Sequence, residues 1–164
     1  NCTEYAYYGT DGKPALSKDG YAKQVCVYDE RGNIVKTSVY GIDGRLIFDK
    51  DCMASWTNKY DERGNCTEIV CYGIDGNPVL CKDGYAKQSC VYDERGKVIE
   101  TNVYGVDGKL TYDKDGVARW TKKFDERGYC TEYAYYGTDG RPVLSKDGYA
   151  MQLLVNDGRV KGIV

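Results

Sequence analysis

A Tyr-Gly pair stands at Tyr8-Gly9, Tyr40-Gly41, Tyr72-Gly73, Tyr104-Gly105 and Tyr136-Gly137, always at the same interval. This period constrains the fold more than any other feature. A unit so short cannot enclose a core of its own and must bury its apolar face against its neighbours. The expectation is a linear array without a global centre, covering 1–154 as units 1–32, 33–64, 65–96, 97–128 and 129–154. Residues 155–164 are expected to be a degenerate cap or boundary segment. The run from Met151 to Gly158 replaces the Tyr-Asp-Glu-Arg-Gly ending of the other units there.

Within the second unit, residues 33–40 alternate and are rich in β-branched side chains, with Val35, Thr37 and Val39 on one face, which reads as a strand. Gly41-Ile42-Asp43-Gly44 tolerates positive φ, so the chain should reverse there and return through Arg45 to Phe48 as a hairpin. Asp49-Lys50-Asp51 makes a second reversal. Met53 to Tyr60 then reads as a third strand, ending at the turn Asp61-Glu62-Arg63-Gly64. Three strands per unit are therefore expected. The fold class is all-β, as a β-solenoid or a stack of β-hairpins. Helix is disfavoured because glycine and turn signals interrupt every run before the roughly 10–12 residues a helix needs. The 17 Tyr and 20 Gly against 2 Phe and 3 Pro suit short strands joined by tight turns.

A second periodicity lies on the first. Pro14, Pro78 and Pro142, with Gln24, Gln88 and Gln152, mark the odd units, whereas Leu46 and Leu110, with Trp56 and Trp120, occupy those registers in the even ones. Either the physical repeat is a pair of units, as in 1–64, with successive units facing alternate sides, or a pair was duplicated and the structural repeat remains the single unit.

The phrase Tyr28-Asp29-Glu30-Arg31-Gly32-Asn33-Ile34 returns from Tyr60 to Cys66, Tyr92 to Val98 and Phe124 to Cys130, and it resembles the Tyr-Asp-x-x-Gly core of bacterial YD (Rhs-type) repeats. The Tyr-Tyr-Gly-x-Asp-Gly hairpins at Tyr7 to Gly12 and Tyr135 to Gly140 are similar to those of clostridial and streptococcal cell-wall-binding repeats and of MORN-type repeats. The repeat interval here is longer than the unit of those families. The resemblance implies a β-hairpin repeat style and a bacterial origin, and it carries over no functional residue.

Histidine is absent, which removes the commonest general base, Ser-His and Cys-His nucleophiles, and the commonest zinc ligand. The pairs Asp29-Glu30, Asp61-Glu62, Asp93-Glu94 and Asp125-Glu126 recur at one turn. A catalytic pair needs one privileged environment to separate two pKa values, so these carboxylates read as turn formers, with the neighbouring Arg pairing to a carboxylate of the next unit. Asp113-Lys114-Asp115-Gly116 looks like the start of a calcium loop. It lacks the third acidic position and the bidentate Glu, and reads as a plain turn. No catalytic residue, metal site or cofactor is expected.

Among the eight cysteines none forms a Cys-x-x-Cys pair. Cys71 and Cys81 lie symmetrically about Gly76, which places them across the expected hairpin. They read either as a cross-strand disulfide or as small apolar residues packed reduced. Cys52 stands where other units have a turn glycine. Trp56 and Trp120 are the candidate ligand-binding residues, as flat platforms for sugar faces, the other reading being that they fill the core.

A formal charge of −2 without a basic stripe argues against nucleic acid as a partner. No apolar run approaches the roughly 20 residues of a membrane span, so no membrane insertion is expected. The chain, opening inside a repeat, is expected to be a segment of a longer protein. The function expected is a non-enzymatic surface or secreted module that binds a polysaccharide or cell-wall polymer and acts as a spacer. The alternative is a protein-interaction scaffold or toxin-associated YD-like shell. An extracellular or cell-surface location is expected, with the redox compartment, and so a cytoplasmic one, left open.

Overall fold

A computed structural model describes residues 2–156 and 161–163. Strands form where side chains alternate and stop at each glycine-containing turn. They are β1 (Glu4–Ala6), β2 (Lys23–Tyr28), β3 (Ile34–Tyr40), β4 (Ser55–Tyr60), β5 (Cys66–Tyr72), β6 (Lys87–Tyr92), β7 (Val98–Tyr104), β8 (Arg119–Phe124), β9 (Cys130–Tyr136), β10 (Met151–Asn156) and β11 (Lys161–Ile163). No helix occurs among the described residues. Strands β1 to β10 lie side by side in chain order as one antiparallel sheet. The second half of β10 pairs with β11. Of the expected cap, residues 157–160 and 164 lie outside the described residues, and the part that is described continues the chain as strand.

The sheet is open and laterally extended, with consecutive strands as antiparallel neighbours, which is hairpin connectivity and not the winding of a solenoid. Two connections alternate along it. A tight turn of the Asp-Glu-Arg-Gly type joins β2 to β3, and a longer loop, residues 41–54, joins β3 to β4. The hairpin β2–β3 pairs six residues against six, with a bulge beside Tyr28, whereas β3 and β4 pair over only three. Neighbouring hairpins are thus joined near the loops and separate toward the turns.

The expected third strand, Met53 to Tyr60, is present as β4, but the expected return strand of the hairpin is absent. The run from Arg45 to Phe48 makes a single bridge, Tyr40 to Leu46, and the loop then turns again at once. So short a run between two reversals cannot build a ladder. The loop's polar backbone is satisfied instead by its own turns, such as Gly41 N–H to Arg45 carbonyl at 2.9 Å, and by the preceding loop through Lys50 N–H to Asp19 carbonyl at 3.0 Å. The same loop-to-loop bond recurs from Lys82 to Asp51 at 2.9 Å and from Lys114 to Asp83 at 2.7 Å. Stacking at the repeat period is therefore a property of the loops, while the strands pair edge to edge.

Those loops lie against one face of the sheet, and the core is between them. Val39, Val103, Thr37 and Cys71 are the largest fully buried side chains there, and Ala22, Ala54, Ala86 and Ala118 are buried where each loop enters a strand. The opposite face is charged. Lys23 sits over the Tyr40 ring at 5.0 Å and Lys87 over Tyr104 at 4.3 Å, while Glu68 pairs with Lys59 at 2.7 Å. Each such cation–ring contact contributes about 0.5–1 kcal/mol at an exposed site. They let an antiparallel sheet leave one side to solvent.

At the turns, Asp29 Oδ1 accepts the N–H of Arg31 at 3.0 Å and of Asn33 at 2.8 Å, and Gly32 takes φ 86°. The Asn33 side-chain amide, donating to Asp29 Oδ2, is the main reason that carboxyl is held below its usual range. Among the described residues the expected arginine–carboxylate pairs between units do not form. Arg31 instead donates to the Glu62 carbonyl at 2.9 Å and Arg63 to the Glu94 carbonyl at 2.7 Å, while Glu62 and Glu94 themselves are exposed. Tyrosines reinforce the same gap: the hydroxyls of Tyr28, Tyr60 and Tyr92 donate to the carbonyls of Cys2, Ile34 and Cys66 at 2.6, 2.9 and 2.8 Å.

Two departures from this pattern should be reparable. Cys52 is held at φ 64°, where Gly20 and Gly84 take φ 90°. Cys52→Gly should stabilise by about 0.5–1 kcal/mol, the relief of left-handed strain less the added freedom of the unfolded chain. Phe124 replaces the turn-bridging tyrosine, and Phe124→Tyr should add about 0.5–1.5 kcal/mol by reaching the Val98 carbonyl. Gly44→Val, at φ 76°, should cost about 1 kcal/mol or more. Urea denaturation of the three variants checks all three signs.

Candidate functional site

Coverage of the sheet by the loops is incomplete, and two clefts open at equivalent places between successive loops. The first, 230 Å³, has Trp56 of β4 and Ile69 and Cys71 of β5 as its floor. Asp51 and Met53 of one loop and Cys81 to Asp83 and Tyr85 of the next form its walls. The second, 270 Å³, has Trp120 of β8 with Tyr133 and Tyr135 of β9, walled by Asp113, Asp115 and Val117 and by Ser145 to Asp147. The two sets of residues are related by a shift of two units.

Trp56 and Trp120 are half-buried, and each lines a cleft. Their strand partners explain the packing. Trp56 stands opposite Thr37 and Cys71, and Trp120 opposite Thr101 and Tyr135, all on the loop-covered face.

The alternation of Trp with Gln also has a cause. In the odd units the Gln accepts a hydrogen bond from a tyrosine three residues before it, Tyr21 to Gln24 Oε1 at 2.8 Å and Tyr85 to Gln88 Oε1 at 2.9 Å. In the even units Met53 and Val117 occupy the tyrosine register. A hydrogen-bonded Tyr–Gln pair and an aliphatic–Trp pair thus fill the same space by turns. Both clefts open beside pairs of the second kind.

Each apolar floor is rimmed by carboxylates and one lysine, Asp51, Asp83 and Lys82 in the first cleft, Asp115, Asp147 and Lys146 in the second. Lys146 lies 3.6 Å from Asp115. Asp113 Oδ1 is already engaged by the N–H groups of Asp115 and Val117, both at 2.9 Å, which makes it a turn acceptor. Burial raises the Tyr85 phenol and pushes that of Tyr135 up to about 12, so both stay donors at neutral pH. An aromatic face with a ring of polar groups is what a polyol recognises as C–H surface and hydroxyls together.

Other concavities lie between successive turns, such as the 440 Å³ groove between Asp29-Arg31 and Tyr60-Glu62. They are polar and bridged by the arginine and tyrosine links described above.

Cys71 and Cys81 are brought together in the Trp56 cleft, both as free thiols. They are not opposite each other across the hairpin as the symmetry about Gly76 implies. Tyr72 bridges to Pro78, and the Val79 N–H bonds the Cys71 carbonyl at 3.1 Å, so the register centres one residue earlier. The aspartates, tyrosines and Met53 of the clefts escape a reading of the sequence for motifs. A signal for them exists, because Tyr21, Met53, Tyr85, Val117 and Tyr149 alternate in phase with Gln and Trp.

No protein-family model matches this chain, and no curated protein matches it.

If the two pairs are interchangeable packing solutions, Trp56→Gln alone should destabilise by about 1–3 kcal/mol. Adding Met53→Tyr should recover about 1 kcal/mol through a new Tyr–Gln bond. A double-mutant cycle by urea denaturation measures this. Additivity within about 0.3 kcal/mol would show that the two registers are independent.

Proposed function

We propose that this chain is a non-enzymatic binding and spacing module for a carbohydrate or cell-wall polymer. The observation that carries the reading is the pair of tryptophan clefts on one face of one sheet, built from equivalent residues two units apart. A single cleft of this size offers contact to little more than one sugar ring and would bind weakly. Two clefts on β4 and β8 are four strand spacings apart, about 19 Å at about 4.8 Å per spacing. A polymer presenting the same face repeatedly can occupy both, and the second contact is then intramolecular. A compact ligand gains nothing from such spacing.

An extended sheet with neighbour-only contacts is also a spacer, since its length grows with each hairpin while its cross-section does not. The likeness of the Tyr-Asp-Glu-Arg-Gly turns and Tyr-Tyr-Gly hairpins to bacterial surface repeats supports a bacterial surface or secreted setting.

Co-sedimentation with insoluble bacterial cell walls and with plant and fungal polysaccharides tests the reading, beside a Trp56→Ala/Trp120→Ala variant checked for folding. Binding by the parent that the folded variant loses by tenfold or more is the expected result. Each single variant should retain weak binding, as two linked sites require. Failure of the parent to bind any of these polymers overturns the reading and leaves the protein-interaction scaffold as the function to pursue.

A further inference from the structure

The two clefts differ in one chemical respect. Where the Trp120 cleft has Tyr135 and Ser145, the Trp56 cleft has Cys71 and Cys81. The register of Cys81 is occupied by Ser17, Asp49, Asp113 and Ser145 in the other loops, and it is a position that accepts backbone N–H bonds. Asp49 Oδ1 takes the N–H of Asp51 at 2.9 Å and of Met53 at 3.0 Å, and Ser17 Oγ takes that of Asp19 at 3.2 Å. The loop is therefore shaped to hold an oxygen acceptor, anionic in two of the units, and in this one unit a sulfur sits there. Around the Cys81 sulfur lie the backbone N–H groups of Tyr85 and Asp83 and the Cys71 thiol.

We infer that Cys81 and Cys71 form a thiol–disulfide exchange site for low-molecular-weight disulfides, with half-buried Cys81 as the attacking sulfur and buried Cys71 as the resolving one. Cys81 thiolate attacks one sulfur of the small disulfide. The S–S bond of the reagent breaks, and one half leaves with the electron pair and takes a proton from solvent. The Cys71 thiol then gives up its proton, its sulfur attacks the Cys81 sulfur, and the second half of the reagent leaves as a thiol. Two protein thiols are oxidised to one disulfide, and one small disulfide is reduced to two thiols.

The electrostatics favour this division of roles. The Cys71 hydrogen bond first, then the two backbone N–H groups, push the Cys81 thiol down to about 6 against burial and the charge of Asp83. Cys71 is pushed up by the same hydrogen bond and by burial, with Asp49 and Asp83 adding to it. Lys82 is exposed beside the pair. A thiolate attacks and a protonated, enclosed thiol waits, which is the arrangement a two-step exchange needs. The bond would tie the loop to β5 along the wall of the Trp56 cleft and leave the Trp120 cleft unchanged. The inference does not depend on the polymer reading, because its test is read by mass.

The test is reaction of the full chain with glutathione disulfide, followed by quenching and peptide mapping. The expected product has lost two hydrogens and carries a Cys71–Cys81 link. Cys71→Val, the residue at Val39 and Val103, should trap glutathione on Cys81 as a stable adduct. Cys81→Ser, the residue at Ser17 and Ser145, should slow modification of Cys71 tenfold or more. Both substitutions reproduce what other units already contain, so folding is expected to survive and is checked by circular dichroism. Modification of Cys81 no faster than of exposed Cys52, a link to a different cysteine, or two unreacted thiols would each overturn the inference.

Discussion

The three-residue ladder between β3 and β4, repeated between each hairpin and the next, is what the remaining structure depends on. A two-stranded hairpin is marginal at best in water, and each hairpin here has one face covered only by loops that belong partly to its neighbours. Pairing at the loop end brings loop onto loop, so that Lys50 can reach Asp19 and Lys114 can reach Asp83. The same short pairing leaves the turn ends apart, and arginine and tyrosine then span the gap to backbone carbonyls. Carbonyls suit this role better than carboxylates because their positions are set by the turn and cannot swing into solvent.

Burial follows from that geometry. The loops cover one face only, so the core is a strip of Val39, Thr37, Cys71, Val103 and the loop-entry alanines, and the other face is left to lysine, glutamate and tyrosine. Within the strip, two side-chain pairs solve one packing problem by turns, Tyr with Gln and Met or Val with Trp. The second pair is worse at closing the surface, because an aliphatic chain at the register of Tyr85 has no hydroxyl to anchor a neighbour. Under the proposed reading, this imperfect closure, repeated at a fixed interval, supplies a binding face with no separate scaffold for it.

Most of the strand pattern is legible in the sequence because alternation and turn glycines are local signals. Residues 33–40 read as strand and β3 is Ile34–Tyr40, while the Asp-Glu-Arg-Gly turns hold glycine at positive φ as their composition implies. The return strand of the hairpin is illusory because the run from Arg45 to Phe48 looks extended in isolation, whereas the adjacent loops compete for its backbone. The arginine partners mislead for a similar reason: charge points to a carboxylate, and only the register between hairpins shows that a carbonyl is nearer. Cys71 and Cys81 share one cleft through a hairpin whose centre is displaced by one residue from the symmetry that draws attention to them.

Composition and period alone dictate an all-β chain whose units must lean on one another, since so short an interval between regular glycine turns admits little else. They also fix the alternation that marks Trp56 and Trp120. Folding in three dimensions sets the rest: the array is an open sheet rather than a coil, each tryptophan lines a cleft, and a turn built around an oxygen acceptor contains a cysteine. These depend on which backbone groups meet between units, and such long-range pairings leave no mark in the local composition from which a sequence is read.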